Sequence, residues 1–180
     1  MLRITIPSTE VYDESTNRFF YTKETTLTLE HSLVSLSKWE SRWKKPFLTK
    51  DDKTIAEIID YIKCMTLTQN VNPTIYNFLT QENIDRVVAY IGDTMTATWF
   101  TEAEPTKQSS AQVTSELIYY WMVALNIPFE CQKWHLNRLF TLIRICNIKN
   151  QPPKKMSQKQ IMEQYARKNA AHRKKLHSKG

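Results

Sequence analysis

The stretch SELIYYWMVALNIPFECQKWHLNRLFTLIRICNI (residues 115–148) is the best candidate for the core and predicts two consecutive helices. Residues 115–127 are apolar almost all round a helical projection, which is typical of a helix buried on most sides. Pro128 interrupts this helix, because proline cannot continue a helical hydrogen-bond pattern. A second helix over 129–148 would direct one set of side chains inward, namely Cys131, Trp134, His135, Leu139, Leu142, Ile143 and Cys146. We therefore expect a helical hairpin that turns across NIPF.

Cys131 and His135 are four residues apart, a spacing that stacks two side chains on one face of a helix. That geometry is half of a metal site or a Cys–His nucleophile pair. Zinc needs three or four ligands, however, and the other two cysteines, Cys64 and Cys146, do not form a spaced pair. We interpret Cys131 and His135 as packing residues on a core helix, with a hydrogen bond from His135 to a neighbouring element.

The rest of the sequence predicts a mainly α protein with a small N-terminal antiparallel β element and a basic C-terminal helix. Residues 1–30 form the β element, because short runs alternate or are rich in aromatic residues and threonine around a turn-like DESTN. Residues 32–48 follow helical spacing up to Pro46, and residues 49–150 form a helical core. We expect one domain over 1–150 and a basic helix or tail over 151–180, with the main internal loop at 101–110.

Local signals set the expected helix boundaries in the first half of the core. Thr54 and Glu57 have the spacing of a capping box before an apolar stripe that includes Ile58. Asn72 with Pro73 is a typical helix start. Another helix begins at Thr80 and ends near Gly92.

Composition excludes several classes of function. The chain has 180 residues but only two glycines, so it cannot build the glycine-rich loops that cradle phosphates or dinucleotides, and we expect no cofactor. Three scattered cysteines indicate a reducing compartment rather than a disulfide framework. The N-terminus turns polar at once, and no apolar run approaches the roughly 18 residues of a membrane span, so we expect no membrane contact.

Positive charge is concentrated at the C-terminal end. Residues 149–180 contain ten Lys and Arg and one acidic residue, whereas residues 1–148 contain fifteen basic and seventeen acidic residues. The double proline in KNQPPKK marks a boundary before this tail. Such a tail could bind polyanions nonspecifically, fold on a partner protein or simply aid solubility. Its candidate partner-binding residues are Lys154, Lys155, Arg167, Lys168, Arg173, Lys174 and Lys175.

Aromatic and basic residues also alternate in KWESRWKKPF (residues 38–47). Trp39, Trp43 and Phe47 are the candidate residues for gripping a partner, because tryptophan is enriched in protein interfaces. Core packing is the competing interpretation of tryptophans at helical spacing. Base stacking is a third, although Glu40 interrupts the basic pattern.

Four blocks of the chain resemble a family of short phage proteins, the tail assembly chaperones. They are SLSKWESRWKKPFL, MTATWF, ELIYYWMVALNIPFECQKWHLNRLFTLIRICN and PPKKMSQKQIMEQYARKNAAHRKKL, and the likeness extends over roughly residues 32–178. The resemblance implies a non-enzymatic protein of the host bacterial cytoplasm that coats the helical tape measure protein and keeps it soluble. It also implies displacement by the tail tube protein, which a longer, frameshifted form recruits in many such systems. It supplies no catalytic residues.

Two other functions stay open alongside this expectation. The small β element leaves room for a structural virion component of the tail or its connector. The basic tail leaves room for a nucleic-acid-binding accessory protein. Self-association into a homo-oligomer is also open, because sequence alone does not determine it.

Overall fold

The computed structural model describes residues 1–13, 17–49, 51–100, 112–151, 162–163 and 165–169, and it confirms a mainly helical chain. The main helices of this part are α1 (Leu33–Trp43), α2 (Ile55–Met65), α3 (Gln81–Gly92), α4 (Ser115–Ala124) and α5 (Leu136–Asn150). Two 3₁₀ helices, Pro73–Phe78 and Phe129–Lys133, stand before α3 and α5. The predicted loop at 101–110 lies outside the described residues.

The N-terminal β element consists of two separate antiparallel ribbons rather than one sheet. Strand β1 (Leu2–Ile6) pairs with β4 (Thr25–Leu29), and β2 (Glu10–Asp13) pairs with β3 (Arg18–Tyr21). In the first ribbon the alternation predicted from LRITI is confirmed, since the four side chains of one face have no exposed surface: Ile4, Ile6, Leu27 and Leu29. This ribbon supplies one wall of the core.

The predicted helix starts are confirmed. Thr54 and Glu57 form a reciprocal capping box on α2, and the Thr80 side chain accepts a hydrogen bond from the backbone N–H of Asn83 at the start of α3. Asn72 caps the 3₁₀ helix that begins at Pro73. Each of these signals depends on residues three positions apart or closer, so the local sequence is sufficient to specify it.

Helix α1 lies between two hydrophobic cores. On one side Trp39 packs with the β1–β4 ribbon, α2, the first 3₁₀ helix and α3. On the other side Leu33 and Leu36 pack with α4 and α5. Two sets of apolar positions on one helix therefore join both cores into one unit.

The two cores are also joined by the backbone that leads from β4 into α1. Leu67 N–H donates to the carbonyl of Thr28 at 2.8 Å, which ties this strand to the end of α2. Two residues after the strand ends, the carbonyl of His31 accepts a hydrogen bond from Leu136 N–H at 2.7 Å. The start of α5 is thus fixed by a residue more than a hundred positions earlier in the chain.

The stretch 115–148 differs from its prediction in two ways. Helix α4 is not buried on most sides, because Tyr120 and Val123 are 64% and 60% exposed and only a narrow face reaches the core. The predicted helix over 129–148 is broken, since a 3₁₀ helix ends at Lys133 and α5 begins at Leu136. The break occurs because His135 pairs in a β-bridge with Ser32, and that pairing requires extended backbone.

Contacts divide the chain into two compact units, Met1–Asn147 and Ile148–Gly180, and the predicted boundary at residue 150 lies close to this division. In the second unit, residues 162–163 and 165–169 are helical, within the segment predicted to form the basic helix. Within the described ranges, none of the helices combines the length and apolarity needed to cross a bilayer.

Candidate partner-binding site

The three aromatic residues predicted to grip a partner are brought together in one cluster. Trp39 and Trp43 stack with ring centroids 5.9 Å apart, and Phe47 meets Trp39 edge-on at 5.0 Å. Phe47 also stacks on Tyr61 of α2, with centroids 3.7 Å apart. The KWESRWKKPF stretch therefore folds back against α2 instead of projecting as a row of stacking platforms.

Trp39 belongs to the core, so its prediction as a partner-binding residue is wrong. Its side chain has no exposed surface, and its indole Nε1–H donates to the backbone carbonyl of Glu57 at 3.0 Å. A buried indole with a satisfied donor stabilises the fold and offers nothing to a partner. The competing interpretation of core packing is the correct one for this residue.

Trp43 and Phe47 lie nearer the surface, and their role in binding stays a prediction. Trp43 is 36% exposed and donates its indole N–H to Asp60 at 2.9 Å. Phe47 is half-buried and forms part of the wall of a surface groove. Of the three predicted aromatic residues, Trp43 is therefore the most exposed, and Phe47 is the one that lines the groove.

This surface groove, which we call the α2–α3 groove, runs between helices α2 and α3 and has a volume of about 220 Å³. Its walls are almost wholly apolar, and Lys53 supplies the charged group among its lining residues. The lining residues are Phe47, Lys53, Ile58, Tyr61, Ile62, Val87, Val88 and Ile91. The composition of this groove suits apolar side chains, because contact with its walls would remove their surface from water.

Both helices carry an exposed apolar side chain at or near the groove. Val88 of α3 is 56% exposed and lines the groove, and Ile55 at the start of α2 is 72% exposed. Ile55 precedes Ile58 by three residues, so both side chains lie on the same side of α2. At one rim the Lys53 ammonium lies 4.9 Å from the centre of the Phe47 ring and donates to the carbonyl of Thr49.

Sequence reasoning identified the apolar stripes of α2 and α3 but treated them as core. The spacing of a stripe is the same whether a partner helix or the protein's own core covers it. The predicted stripes are Ile55, Ile58, Ile59, Ile62 and Met65 on α2, and Ile84, Val87, Val88 and Ile91 on α3. The adjacent apolar pair Val87–Val88 is the available sequence signal of an exposed groove wall, because two neighbouring residues of a helix point in directions about 100° apart. Val87 is buried, and Val88 is 56% exposed. Which part of a stripe remains uncovered depends on the angle between the two helices, and the sequence does not state it.

Of the predicted basic-tail residues, Arg167 and Lys168 lie in the helical segment 165–169 and are exposed. The others, Lys154, Lys155, Arg173, Lys174 and Lys175, lie outside the described residues. The proposed role of all seven in binding partners or polyanions stays a prediction.

Cys131 and His135 are packing residues, as predicted, but they do not share a helix. Cys131 lies in the second 3₁₀ helix and His135 in the extended link before α5, and both are buried. The imidazole Nε2–H of His135 donates to the carbonyl of Tyr90 at 3.0 Å, and Nδ1 accepts from Asn137 N–H at 3.3 Å. The imidazole therefore bridges the start of α5 to the end of α3.

The cysteine environments suit packing rather than nucleophilic chemistry. Burial, with a smaller contribution from Glu130, raises the pKa of the Cys131 thiol, and burial also raises the pKa of Cys64. A raised pKa disfavours the thiolate, which is the reactive form. Over the stretches that the structure describes, His, Cys, Asp and Glu side chains do not gather in threes as a metal ion would require.

A buried histidine pair links the two cores. The Nδ1 atom of His31 lies 2.6 Å from the Tyr61 hydroxyl, and the rings of His31 and His135 are 5.1 Å apart. Next to His31 along the chain, the Glu30 carboxylate accepts from the Tyr90 hydroxyl. Burial, followed by the proximity of His135, lowers the pKa of His31 to about 3.

Stability should fall as the pH drops below about 6.5, the pKa of an unperturbed histidine. Below that pH the unfolded chain binds a proton at His31 that the folded chain does not bind, because its folded pKa is about 3. The free energy of unfolding should then decrease by about 1.4 kcal/mol per pH unit, or roughly 2 kcal/mol by pH 5. Urea denaturation at a series of pH values measures this slope.

A His31→Asn variant is the control for this pH dependence, because asparagine retains polar atoms but does not titrate. The variant should be less stable at neutral pH and should show a shallower slope between pH 6.5 and pH 5. Carboxylate protonation falls mainly below this window, since the pKa of Glu57, for example, is lowered by its hydrogen bonds from Lys45 and Thr54. An unchanged slope in the variant would remove His31 as the cause.

A comparison with models of known protein families, with curated proteins and with solved structures found no match.

Proposed function

We propose that this protein is a non-enzymatic phage tail assembly chaperone of the host cytoplasm that binds an amphipathic helix of the tape measure protein. The observation that carries the proposal is the α2–α3 groove, an apolar channel with the exposed side chains of Ile55 and Val88 at or near it. Exposed apolar surface of this kind usually marks an interaction site. The four sequence blocks that resemble tail assembly chaperones supply the identity of the partner.

The dimensions of the groove suit a helix better than a small molecule. Its volume of about 220 Å³ is below the roughly 300–1,000 Å³ of typical ligand pockets, so it suits a few inserted side chains. The lining residues cover about one turn of each helix, Ile58 to Ile62 on α2 and Val87 to Ile91 on α3, which is about 6 Å. Two anchors at positions i and i+4 of a partner helix are also about 6 Å apart and fit within that length.

The biological logic follows from the chemistry of the partner. A tape measure protein is long and helical, and before a tube surrounds it the apolar stripes of its helices are exposed to water. A groove that covers part of such a stripe lowers the tendency of the tape measure protein to aggregate. Tail tube subunits can later displace the chaperone, because a few inserted side chains bind only weakly.

Replacing Val88 with glutamate should strongly weaken binding of the tape measure protein. The substitution places a carboxylate in the wall of an apolar groove, and a bound partner would have to bury it without a counter-ion. Loss of the valine contact alone is worth about 1.5 kcal/mol, so we expect at least a roughly tenfold loss of affinity. The measurement is affinity purification of the tagged chain from phage-producing cells, with tape measure peptides quantified by mass spectrometry.

Val123→Glu is a matched control for this experiment. Val123 has nearly the same exposure as Val88, 60% against 56%, but it lies on α4 outside the groove. It should retain the tape measure peptides and the fold. Equal recovery with both variants would exclude the groove as the binding site. Finding the wild-type chain in finished particles at a constant copy number would instead identify a structural virion component.

A further inference from the structure

A second surface cavity lies in the first unit, between the segment after α3 and α5, and we call it the Trp99 cavity. Its volume is about 430 Å³, nearly twice that of the α2–α3 groove. Trp99, Phe100 and Phe140 supply aromatic rings to its lining, and Arg144 supplies a cation. Among the residues that the structure describes, the remaining lining groups are small, hydroxyl-bearing or amide-bearing and include no carboxylate. This volume is within the range of pockets that hold a ligand.

The segment that forms one wall is attached to α5 by a specific side chain. Asn137 donates its amide N–H groups to the carbonyls of Ile91 at 2.9 Å and Asp93 at 2.7 Å. From there the chain continues through TMTATWF, residues 94–100, without regular secondary structure, and Met95 has a φ of 49°. Thr94, Thr96 and Thr98 all line the cavity.

Two side chains of the cavity are unusual for residues that only support a fold. Trp99 is 90% exposed, so its indole surface is not used in packing. The guanidinium carbon of Arg144 lies 4.0 Å from the centre of the Phe100 ring, which holds a positive charge at the cavity wall. An exposed aromatic ring and a cation in one cavity match the two halves of a nucleotide, the base and the phosphate.

Charge in the surrounding sequence points the same way. Within the first unit, residues 131–147 contain Lys133, Arg138 and Arg144 and no acidic residue. Helix α5, which forms the other wall, contains Arg138, Arg144 and Lys149 and no acid. This part of the chain therefore attracts polyanions, even though the first 148 residues carry a small net negative charge.

We propose that the Trp99 cavity binds one nucleotide unit of a single-stranded nucleic acid, with the base stacked on Trp99 and a phosphate on Arg144. A strand is favoured over a free nucleotide, because the chain has no glycine-rich loop to enclose a terminal phosphate group. Stacking on an open indole tolerates any base, so recognition is largely independent of sequence. The threonine hydroxyls and the Asn137 amide are suited to contact phosphate and sugar oxygens. This activity goes beyond the proposed chaperone function and does not depend on the α2–α3 groove.

The test is fluorescence anisotropy of a labelled oligothymidylate of about 12 nucleotides, titrated with the full chain at several salt concentrations. Trp99→Ala should weaken binding roughly tenfold, since stacking of one base is worth about 1–3 kcal/mol. Tyr120→Ala is the matched control, because Tyr120 is also an exposed aromatic residue, 64% exposed, but lies on α4. It should leave the affinity unchanged.

A matched arginine pair separates the site from general charge attraction. Arg138 lies on the same helix as Arg144, and its guanidinium is 4.4 Å from the Trp134 ring, a similar arrangement outside the Trp99 cavity. Arg144→Gln should weaken binding and reduce the slope of log affinity against log salt by about one, whereas Arg138→Gln should not. Equal losses for both arginine variants, with no loss for Trp99→Ala, would overturn the site and leave nonspecific attraction by charge.

Two further binding measurements distinguish a single strand from a free nucleotide and from a duplex. Thymidine monophosphate should compete poorly with the oligonucleotide, and competition at similar concentrations would overturn the assignment to a strand in favour of a free nucleotide. A DNA duplex should bind more weakly than the single strand, because its bases present no free faces. Val88→Glu should bind the oligonucleotide normally, so failure of the chaperone proposal and failure of this one give different results.

Discussion

Replacing Trp39 with alanine should lower the free energy of unfolding by about 3–5 kcal/mol, the range measured when a large buried aromatic side chain is truncated. Trp39 has no exposed surface and contacts the rings of Trp43, Phe47 and Tyr61. Truncation leaves a cavity between α1 and α2 and also removes the donor that satisfies the Glu57 carbonyl at 3.0 Å. The loss is a large fraction of the 5–15 kcal/mol that stabilises a typical domain.

Urea denaturation followed by circular dichroism measures this effect without relying on tryptophan fluorescence. Trp43→Ala is the control, because Trp43 is a neighbour of the same type but is 36% exposed, and we expect it to cost about 1 kcal/mol. Trp39→Phe should lie between the two, since it fills part of the space but cannot donate to Glu57. If Trp39→Ala were no less stable than Trp43→Ala, Trp39 would not be a core residue.

Where the sequence predicted the fold well, the deciding contacts are local. The Thr54–Glu57 capping box, the start at Asn72–Pro73 and the start at Thr80 each involve groups within one helical turn. The strand alternation in LRITI was also readable, because the buried face of a ribbon needs every second residue to be apolar. These features form in the same way whatever the remainder of the chain does.

Where the prediction failed, the deciding contacts are distant in sequence. The break before α5 is imposed by Ser32 and by the His31 carbonyl, which lie about a hundred residues away from the residues they bind. Helix α4 looked buried because its apolar residues surround it, yet only Ser115, Ile118 and Met122 are buried there. Apolar character shows which residues can be buried, but the packing of α1 against one side of α4 decides which ones are.

The candidate sites were harder to predict for the same reason. The α2–α3 groove arises from the spacing between two helices, and the Trp99 cavity brings together side chains more than forty residues apart, such as Trp99 and Arg144. MTATWF is one of the blocks that carry the family resemblance. Its threonines and aromatic residues line a common cavity only because α5 lies beside them. No short sequence motif predicts contacts between segments this far apart.

Replacing Glu40 with alanine should lower the free energy of unfolding by about 3 kcal/mol. The loss arises because two backbone N–H groups are left without an acceptor, and not because an ion pair is broken. Glu40 is buried, and its carboxylate accepts from the N–H of Phe47 at 3.0 Å and from the N–H of Ser115 at 2.7 Å. Glu40 therefore holds the connection after α1 in place at Phe47. It also caps the first turn of α4 at Ser115, where negative charge is favourable. In the sequence Glu40 only interrupts a basic stretch, because its partner Ser115 is 75 residues away.

Glu116→Ala is the matched control, since Glu116 also lies in the first turn of α4 but is exposed, and its loss should cost no more than about 1 kcal/mol. Glu40→Gln retains one accepting oxygen and no charge, so it should lose about half as much as Glu40→Ala. Thermal and urea denaturation of the three variants give the ranking. Equal stability of the two alanine variants would show that the carboxylate of Glu40 does not hold α1 against α4. The position of α1 between the two cores would then need another explanation.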